Sequence, residues 1–270
     1  MQGARGNLQA MDLIDPYRPE VPPGQDELPF SDGEPMESYR HVLQMQLLME
    51  SLADAWSERD DYFIGGNMFV YFSEPQARGE VKVRGPDVFV VLGTERHKRR
   101  KSWVAWQEEG KLPDIVIELL SPSTASIDRG EKKRIYGQSW RTGHYFLFDP
   151  HTGELEGHRL VNGKYEPIVP DARGDLPVES IGLALGLRDG TFQNEGGRWL
   201  RWTDPEGATI TSGAERADGA QRTARAATEA ARTATEAARA ATEEARAATE
   251  RAIAAERRIA ELEAKLRGDG

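Results

Sequence analysis

The sequence predicts an α/β (α+β) domain, a mixed sheet flanked by helices, followed by a long C-terminal Ala-rich helix. Three observations predict it. Two short runs, Asp87-Val-Phe-Val-Val-Leu92 and Asp114-Ile-Val-Ile-Glu118-Leu-Leu120, are almost continuously β-branched and apolar, as strands buried on both faces are. A helix-like stretch around Gly130 to Arg141 separates the second run from another strand-like run, Tyr145-Phe-Leu-Phe-Asp149. From Ala224 onward the chain repeats every seven residues.

Residues 1 to 35 contain Pro16, Pro19, Pro22, Pro23, Gly24 and Pro29 with few apolar residues, and read as an extended or disordered leader. The domain spans 36–205. It opens with an amphipathic helix from Glu37 to about Arg59, in which Val42, Met45, Leu48, Leu52 and Trp56 recur at helical spacing. A strand follows over Tyr62 to Phe72, interrupted at Gly65-Gly66, which marks a bulge or a close backbone approach. Further strands are expected over Asp87 to Leu92, Ser102 to Gln107, Asp114 to Leu120 and Tyr145 to Asp149. Asn162-Gly163 joins Leu155–Val161 to Tyr165–Ile168 as a hairpin, because both turn residues accept positive φ. Short β pieces continue to about Trp202, with turns at Asp189-Gly190 and Asp204-Pro-Glu-Gly207. A linker over 206–221 precedes the heptad helix of 222–267.

Composition bounds the function. At 270 residues there is room for one ordinary domain and an appendage. The absence of cysteine excludes disulfides and thiolate sites and fits a reducing cytosol. No apolar run approaches the roughly 20 residues that span a bilayer, and the first residues lack a hydrophobic signal core. The expected address is cytoplasmic, with no membrane. The net charge of −10 resides in the body, because the tail from Gly213 has as many acids as bases. A basic stretch, Arg96-His-Lys-Arg-Arg-Lys101, reads either as a solvated loop or as a phosphate-guiding loop.

The chemistry lies in carboxylates placed within apolar strands. Asp114 and Glu118 share a strand face with Val116, since side chains alternate. Charges beside Ile, Val and Leu need a partner or a metal to offset desolvation. Asp114, after Pro113, also reads as a strand-start residue, and Glu118 as half of a buried ion pair with Lys132. Neighbouring strands carrying Asp87 and Glu118 bring two carboxylates within reach of one hard divalent cation. Mg²⁺, or Mn²⁺, suits such a site, keeping several waters beside a few carboxylate oxygens. A nearby lysine can polarise the attacking water and offset charge on a phosphate.

These pieces resemble the Uma-type family of restriction-endonuclease-like proteins, a branch of the PD-(D/E)xK nuclease superfamily. The resemblance is carried by Gly85-Pro-Asp87-Val-Phe-Val-Val, by Pro113-Asp-Ile-Val-Ile-Glu118-Leu-Leu-Ser-Pro-Ser-Thr124, and by Asp128-Arg-Gly-Glu-Lys132 with Tyr136. The run Tyr145-Phe-Leu-Phe-Asp-Pro150 fits as well. The resemblance implies a restriction-endonuclease-like fold, a divalent metal and a nucleic-acid substrate, taken as DNA. It assigns Asp87 and Glu118 to the metal and to catalysis. The superfamily's strand lysine, two residues after the second acid, is Leu120 here. The catalytic lysine is therefore assigned to Lys132, in this branch's Asp-x-x-x-Lys-x-x-x-Tyr pattern, and not to Lys133, which points about 100° away around a helix.

In the tail, Ala224, Ala231, Ala238, Ala245 and Ala252, then Ile259 and Leu266, occupy one heptad core position. Ala227, Ala234, Ala241, Ala248 and Ala255, then Leu262, fill the other. Alanine favours the helix but contributes little apolar area, so both a lone helix and a homodimer through a coiled coil stay open. Three functions fit the sequence: a metal-dependent endonuclease on DNA, a catalytically idle nuclease-like module binding nucleic acid or protein, and an oligomeric scaffold.

Overall fold

The structure, a computed structural model, describes residues 22–29 and 38–268. The chain divides into two units, Met1–Ser212 and Gly213–Gly270.

The first unit opens with helix α1 (Tyr39–Ala55), capped by Ser38, whose Oγ accepts from the His41 main-chain N–H at 3.3 Å. Strand β1 (Tyr62–Gly66) follows, then β2 (Val70–Tyr71), the single turn α2 (Glu74–Ala77) and β3 (Val88–Leu92). The expected strand over Tyr62 to Phe72 is thus two strands in different sheets. The break falls at Gly66-Asn67, where Asn67 has φ 46°, and the Phe89 ring packs over the bare Cα of Gly65. Likewise only β4 (Trp103–Val104) of the expected strand Ser102 to Gln107 is extended; Ala105–Gln107 turns into a 3₁₀ helix.

Next come β5 (Ile115–Leu119) and a composite helix over 125–140. Its α-helical turns, α3 (Ala125–Ile127) and α4 (Lys133–Ile135), alternate with π-helical segments at Asp128–Lys132 and Tyr136–Trp140. The helix stops at Arg141, in the left-handed region. Strands β6 (His144–Phe148), β7 (Leu155–Val161) and β8 (Lys164–Pro167) complete a six-stranded mixed sheet of order β1-β3-β5-β6-β7-β8. Only β5 and β6 run parallel, across the composite helix; the other pairs are antiparallel. Asn162 (φ 50°) and Gly163 (φ 81°) make the expected hairpin turn.

Alternation along the central strands divides the core in two. Ile115, Ile117 and Leu119 face α1, through Leu48 and Leu52, and Trp202. Val116 and Leu120 join Phe89, Tyr145, Tyr136 and Trp140 beneath the composite helix. In α1 the buried stripe is rotated from the expected one: Val42 is exposed, while Gln44 is buried. Gln44 can be buried because its amide serves both main-chain groups of Leu200, at 2.9 and 3.0 Å.

A second sheet, β11-β10-β9, is formed by β9 (Leu176–Val178), β10 (Leu183–Phe192) and β11 (Glu195–Thr203). The turn expected at Asp189-Gly190 lies within β10. The chain reverses at Gln193-Asn194, both at positive φ, because the Leu183–Phe192 and Glu195–Thr203 ladders pair without a break. The Asp204–Gly207 turn is present, with Asp204 Oδ1 accepting from Ala208 N at 2.8 Å.

Part of the expected disordered leader is ordered. Residues 22–29 pack on the body: Leu28 is buried, and Pro23 and Pro29 accept from Trp106 Nε1 and Tyr71 Oη. The rest of the 1–35 leader lies outside the described residues, apart from this stretch.

The second unit is one helix, α5 (Gly213–Gly268). It begins at Gly213, not 222, so the expected linker 206–221 contributes its second half to the helix. Ala214-Glu-Arg-Ala between them are good helix formers, and Gly219 does not break the run. The repeated threonines Thr228, Thr235, Thr242 and Thr249 bond back to the carbonyls four residues earlier. Ion pairs one turn apart run along its surface: Glu229–Arg232, three residues apart, and Arg232–Glu236 and Arg246–Glu250, four apart. No helix among the described residues is long and apolar enough to cross a membrane.

Candidate active site

Antiparallel pairing sets Val88 opposite Ile117, so Asp87 and Glu118 meet just where the β3–β5 ladder ends. Their side chains extend that ladder. Asp87 Oδ2 accepts from Leu119 N at 2.7 Å, and Glu118 Oε2 accepts from Asp87 N at 3.3 Å. Each carboxylate thus satisfies a main-chain donor that the departing strand no longer pairs.

The composite helix closes over this end. Lys132 Nζ lies 3.1 Å from Glu118 Oε2 and 2.8 Å from Asp128 Oδ1. Tyr136 Oη donates to Glu118 Oε1 at 2.8 Å, and Tyr145 Oη donates to the Asp128 carbonyl at 2.9 Å. Asp128, Lys132 and Tyr136 are spaced by four, which the π-helical turns keep on one side. Lys133 points elsewhere, to His158 Nε2 at 3.0 Å. Arg84 joins the approach to Asp87 to the helix through Glu131 at 2.6 Å.

Electrostatically the cluster is short of positive charge. Glu118 is fully buried and Asp128 nearly so, while Lys132 is 14 % exposed. Burial, with Asp87 and Asp128 adding to it and Lys132 opposing, pushes the Glu118 carboxyl up to about 8. Burial also raises Asp87. For Lys132, burial lowers the ammonium's pKa, but Glu118, Asp128 and Asp87 outweigh it and hold it above its ordinary value. Tyr136 is raised well above the ordinary phenol value by burial and then by Glu118. Three carboxyls around one ammonium are what a second cation would relieve.

The structure brings together all three residues singled out from sequence. It adds Asp128 and Tyr136 to the cluster, two residues that in the sequence stood only as the flanks of the Asp-x-x-x-Lys-x-x-x-Tyr pattern, with no role assigned. Asp114 stands apart, at the other end of β5, where its Oδ2 accepts from Leu92 N at 2.7 Å. That is the strand-start role. Leu120, in the place of the superfamily's strand lysine, is 2 % exposed and packed in the core.

The basic stretch is also at the far end, following β3. Its charges serve the fold: Arg96 donates to the carbonyls of Trp56, Ser57 and Arg59. Lys98 and Arg100 bind Glu108, and Lys101 binds Asp26. The phosphate-guiding reading of Arg96–Lys101 is not supported by this position.

Among the described residues, no group of three or more His, Cys, Asp or Glu side chains is arranged to hold a metal ion. Asp87 and Glu118 alone fit a hard cation that takes one or two carboxylates and keeps its waters. Their shared shortage of positive charge fits the same ion.

Comparison with known proteins places the chain. An uncharacterized Synechocystis sp. (strain ATCC 27184 / PCC 6803 / Kazusa) protein, slr1290, is 29 % identical over 103 residues, 38 % of this chain and 50 % of that one. The chain thus spans about half the length of this curated relative. A crystal structure from Anabaena variabilis ATCC 29413, titled "a putative nuclease belonging to DUF820", aligns with 54 % of this chain and 76 % of its own, at 18 % identity and a TM-score of 0.40. Residues 23–191, which hold every member of the cluster, match the Uma2 family, described as "Putative restriction endonuclease", and the chain belongs to that family.

Proposed function

We propose that the chain is a divalent-metal-dependent endonuclease that hydrolyses phosphodiester bonds in DNA, with Asp87, Glu118 and Lys132 as its catalytic residues. The observation that carries this reading is the meeting of Asp87 and Glu118 at one strand end with Lys132 3.1 Å from Glu118. Asp87 and Glu118 would hold Mg²⁺ or Mn²⁺, which supplies Lewis-acid stabilisation of the phosphoryl oxygens and acidifies water when bound.

The chain's own residues do the rest. Lys132, kept protonated by its carboxylate neighbours, offers a cation against charge developing on the phosphate and a donor that orients water. Tyr136 fixes Glu118 Oε1, so that Oε2 faces Lys132. Two copies joined through α5 would present one site to each strand of a duplex, and a homodimer is part of the proposal. Its support is the continuation of the alanine heptads into the exposed Ile259 and Leu262.

Leu120 in the apolar core favours a second reading, an idle nuclease-like module. Cleavage of supercoiled plasmid and single-stranded DNA with Mg²⁺ or Mn²⁺ decides between them. Metal-dependent nicking by wild type, lost in Glu118→Ala and Lys132→Ala, is the expected result. Equal cleavage by all three proteins refutes the site, and no cleavage by any favours the idle module.

A further inference from the structure

The sheet end that carries Asp87 and Glu118 has a second polar feature, built from elements that the carboxylate cluster does not use. The turn after β6, the start of α1 and the β10–β11 hairpin enclose an open groove of about 570 Å³. Its polar lining is Arg40, His151, Thr152, Asp189 and Arg198.

The lining is held in place. Asp149 Oδ1 accepts from the main-chain N–H groups of His151 and Thr152, at 2.8 and 3.1 Å, which fixes a turn carrying both exposed side chains. Arg40 lies over the Trp199 ring, 3.4 Å from its centroid, and donates through Nη2 to the Arg198 carbonyl at 2.6 Å. Gly197 makes this possible: a Cβ there would stand 2.9 Å from Arg40 Nη2, and its φ of +151° is one that L side chains rarely adopt. The Arg198 stem runs beside Gly153. Its Nε meets Asp189 at 3.3 Å in a pair open to solvent, which an incoming anion can displace.

Two guanidiniums, an imidazole and a hydroxyl, set against Asp189 in the lining and Glu195 acting on Arg40, suit a phosphate diester. Arginine is the side chain that matches phosphate oxygens in a planar fork. The groove is also wired to the carboxylates. The His151 and His41 rings are 5.9 Å apart, and His41 Nε2 lies 3.3 Å from the Leu120 carbonyl oxygen. Leu120 is two strand residues beyond Glu118, about 7 Å at the usual rise.

We infer that this groove is a subsite for a phosphodiester group flanking the scissile one on the DNA strand. The subsite supplies the positive surface that Arg96–Lys101, at the opposite end of the sheet, does not.

The inference rests on the phosphodiesterase reading of Asp87, Glu118 and Lys132, and its test separates the two. The full chain carrying Glu118→Gln is titrated into a fluorescently labelled DNA duplex with Mg²⁺, and anisotropy is followed over a range of salt. Adding Arg198→Ala or His151→Ala is expected to weaken binding about threefold to tenfold, and Arg198→Ala to lower the salt slope by about one. Arg198→Lys should recover the slope. Lys164→Ala, at the exposed tip of the β7–β8 hairpin, should change neither. If Arg198→Ala and His151→Ala bind like their Glu118→Gln parent while wild type cleaves DNA, the subsite is overturned and the nuclease stands. If no protein binds DNA and wild type does not cleave it, both are overturned.

Discussion

Replacing Glu118 with Gln keeps the side chain's shape and removes its charge. Burial, reinforced by Asp87 and Asp128, moves this carboxyl from an ordinary 4.5 to about 8 in the folded protein. A group raised on folding contributes stability that is complete below its unfolded value and is lost as pH climbs through the folded one. The gap from 4.5 to about 8 therefore corresponds to at most on the order of 5 kcal/mol, lost between mildly acid and mildly alkaline pH. Glu118→Gln has no such loss. In EDTA, the variant and wild type should melt together near pH 5, and wild type should fall behind at pH 8. Mg²⁺ should narrow or reverse that difference. At ~10 mM Mg²⁺ and a Kd of ~1 mM, binding adds about 1.4 kcal/mol. In a unit of this size that is a midpoint shift of roughly 3–6 °C. Differential scanning calorimetry at both pH values, with and without MgCl₂, reads all of this. A variant that follows wild type across pH and gains as much from Mg²⁺ would refute both the buried proton and the ligand assignment.

Other perturbations test neighbouring parts of the structure. Lys132→Met leaves Glu118 and Asp128 without their ammonium, so urea unfolding at pH 8 should show a loss of about 3 kcal/mol, smaller at pH 5 where Glu118 carries a proton. Tyr136→Phe removes one hydrogen bond to a buried carboxyl and should cost about 1–2 kcal/mol by the same measurement. Leu120→Lys, restoring the superfamily's strand lysine, should destabilise by on the order of 3 kcal/mol and not rescue cleavage in Lys132→Ala, because position 120 is packed among apolar side chains. Ile259→Asp combined with Leu262→Asp should convert a dimer to a monomer in sedimentation equilibrium; an unchanged mass would remove α5 as the dimer contact.

The parts of this fold that were legible in the sequence are those in which one strand is buried on both faces. Val88–Leu92, Ile115–Leu119 and His144–Phe148 read as strands because nothing but a β-rich, two-sided environment accommodates such runs. Asp87 and Glu118 stood out against that background for the same reason. The parts that were hidden depend on partners distant in sequence. Gln44 is buried because Leu200, 156 residues away, meets its amide. Trp103–Val104 is a strand only because Val70–Tyr71 lies beside it. The Asp189-Gly190 turn was outweighed by nine consecutive pairs of the β10–β11 ladder, which left the reversal to Gln193-Asn194. Within the site, Lys132 was reached by resemblance, and Tyr136, which fixes Glu118, was visible as the end of the same pattern but without a role. Nothing in the local sequence reports the π-helical turns that bring Asp128, Lys132 and Tyr136 together.

The opposed directions of β3 and β5 have a consequence for how the chain can be modified. The connection between them, residues 93–114, leaves and returns at the edge of the sheet remote from Asp87 and Glu118. A fluorophore or a tethered domain inserted at its Glu109-Gly110 turn, where both residues already sit at positive φ, would hang from the back of the molecule. Leu92 and Asp114, joined by a side-chain hydrogen bond of 2.7 Å, would keep the two strands in register beneath it. The turn thus offers an attachment point from which a reporter can be carried without touching the carboxylates.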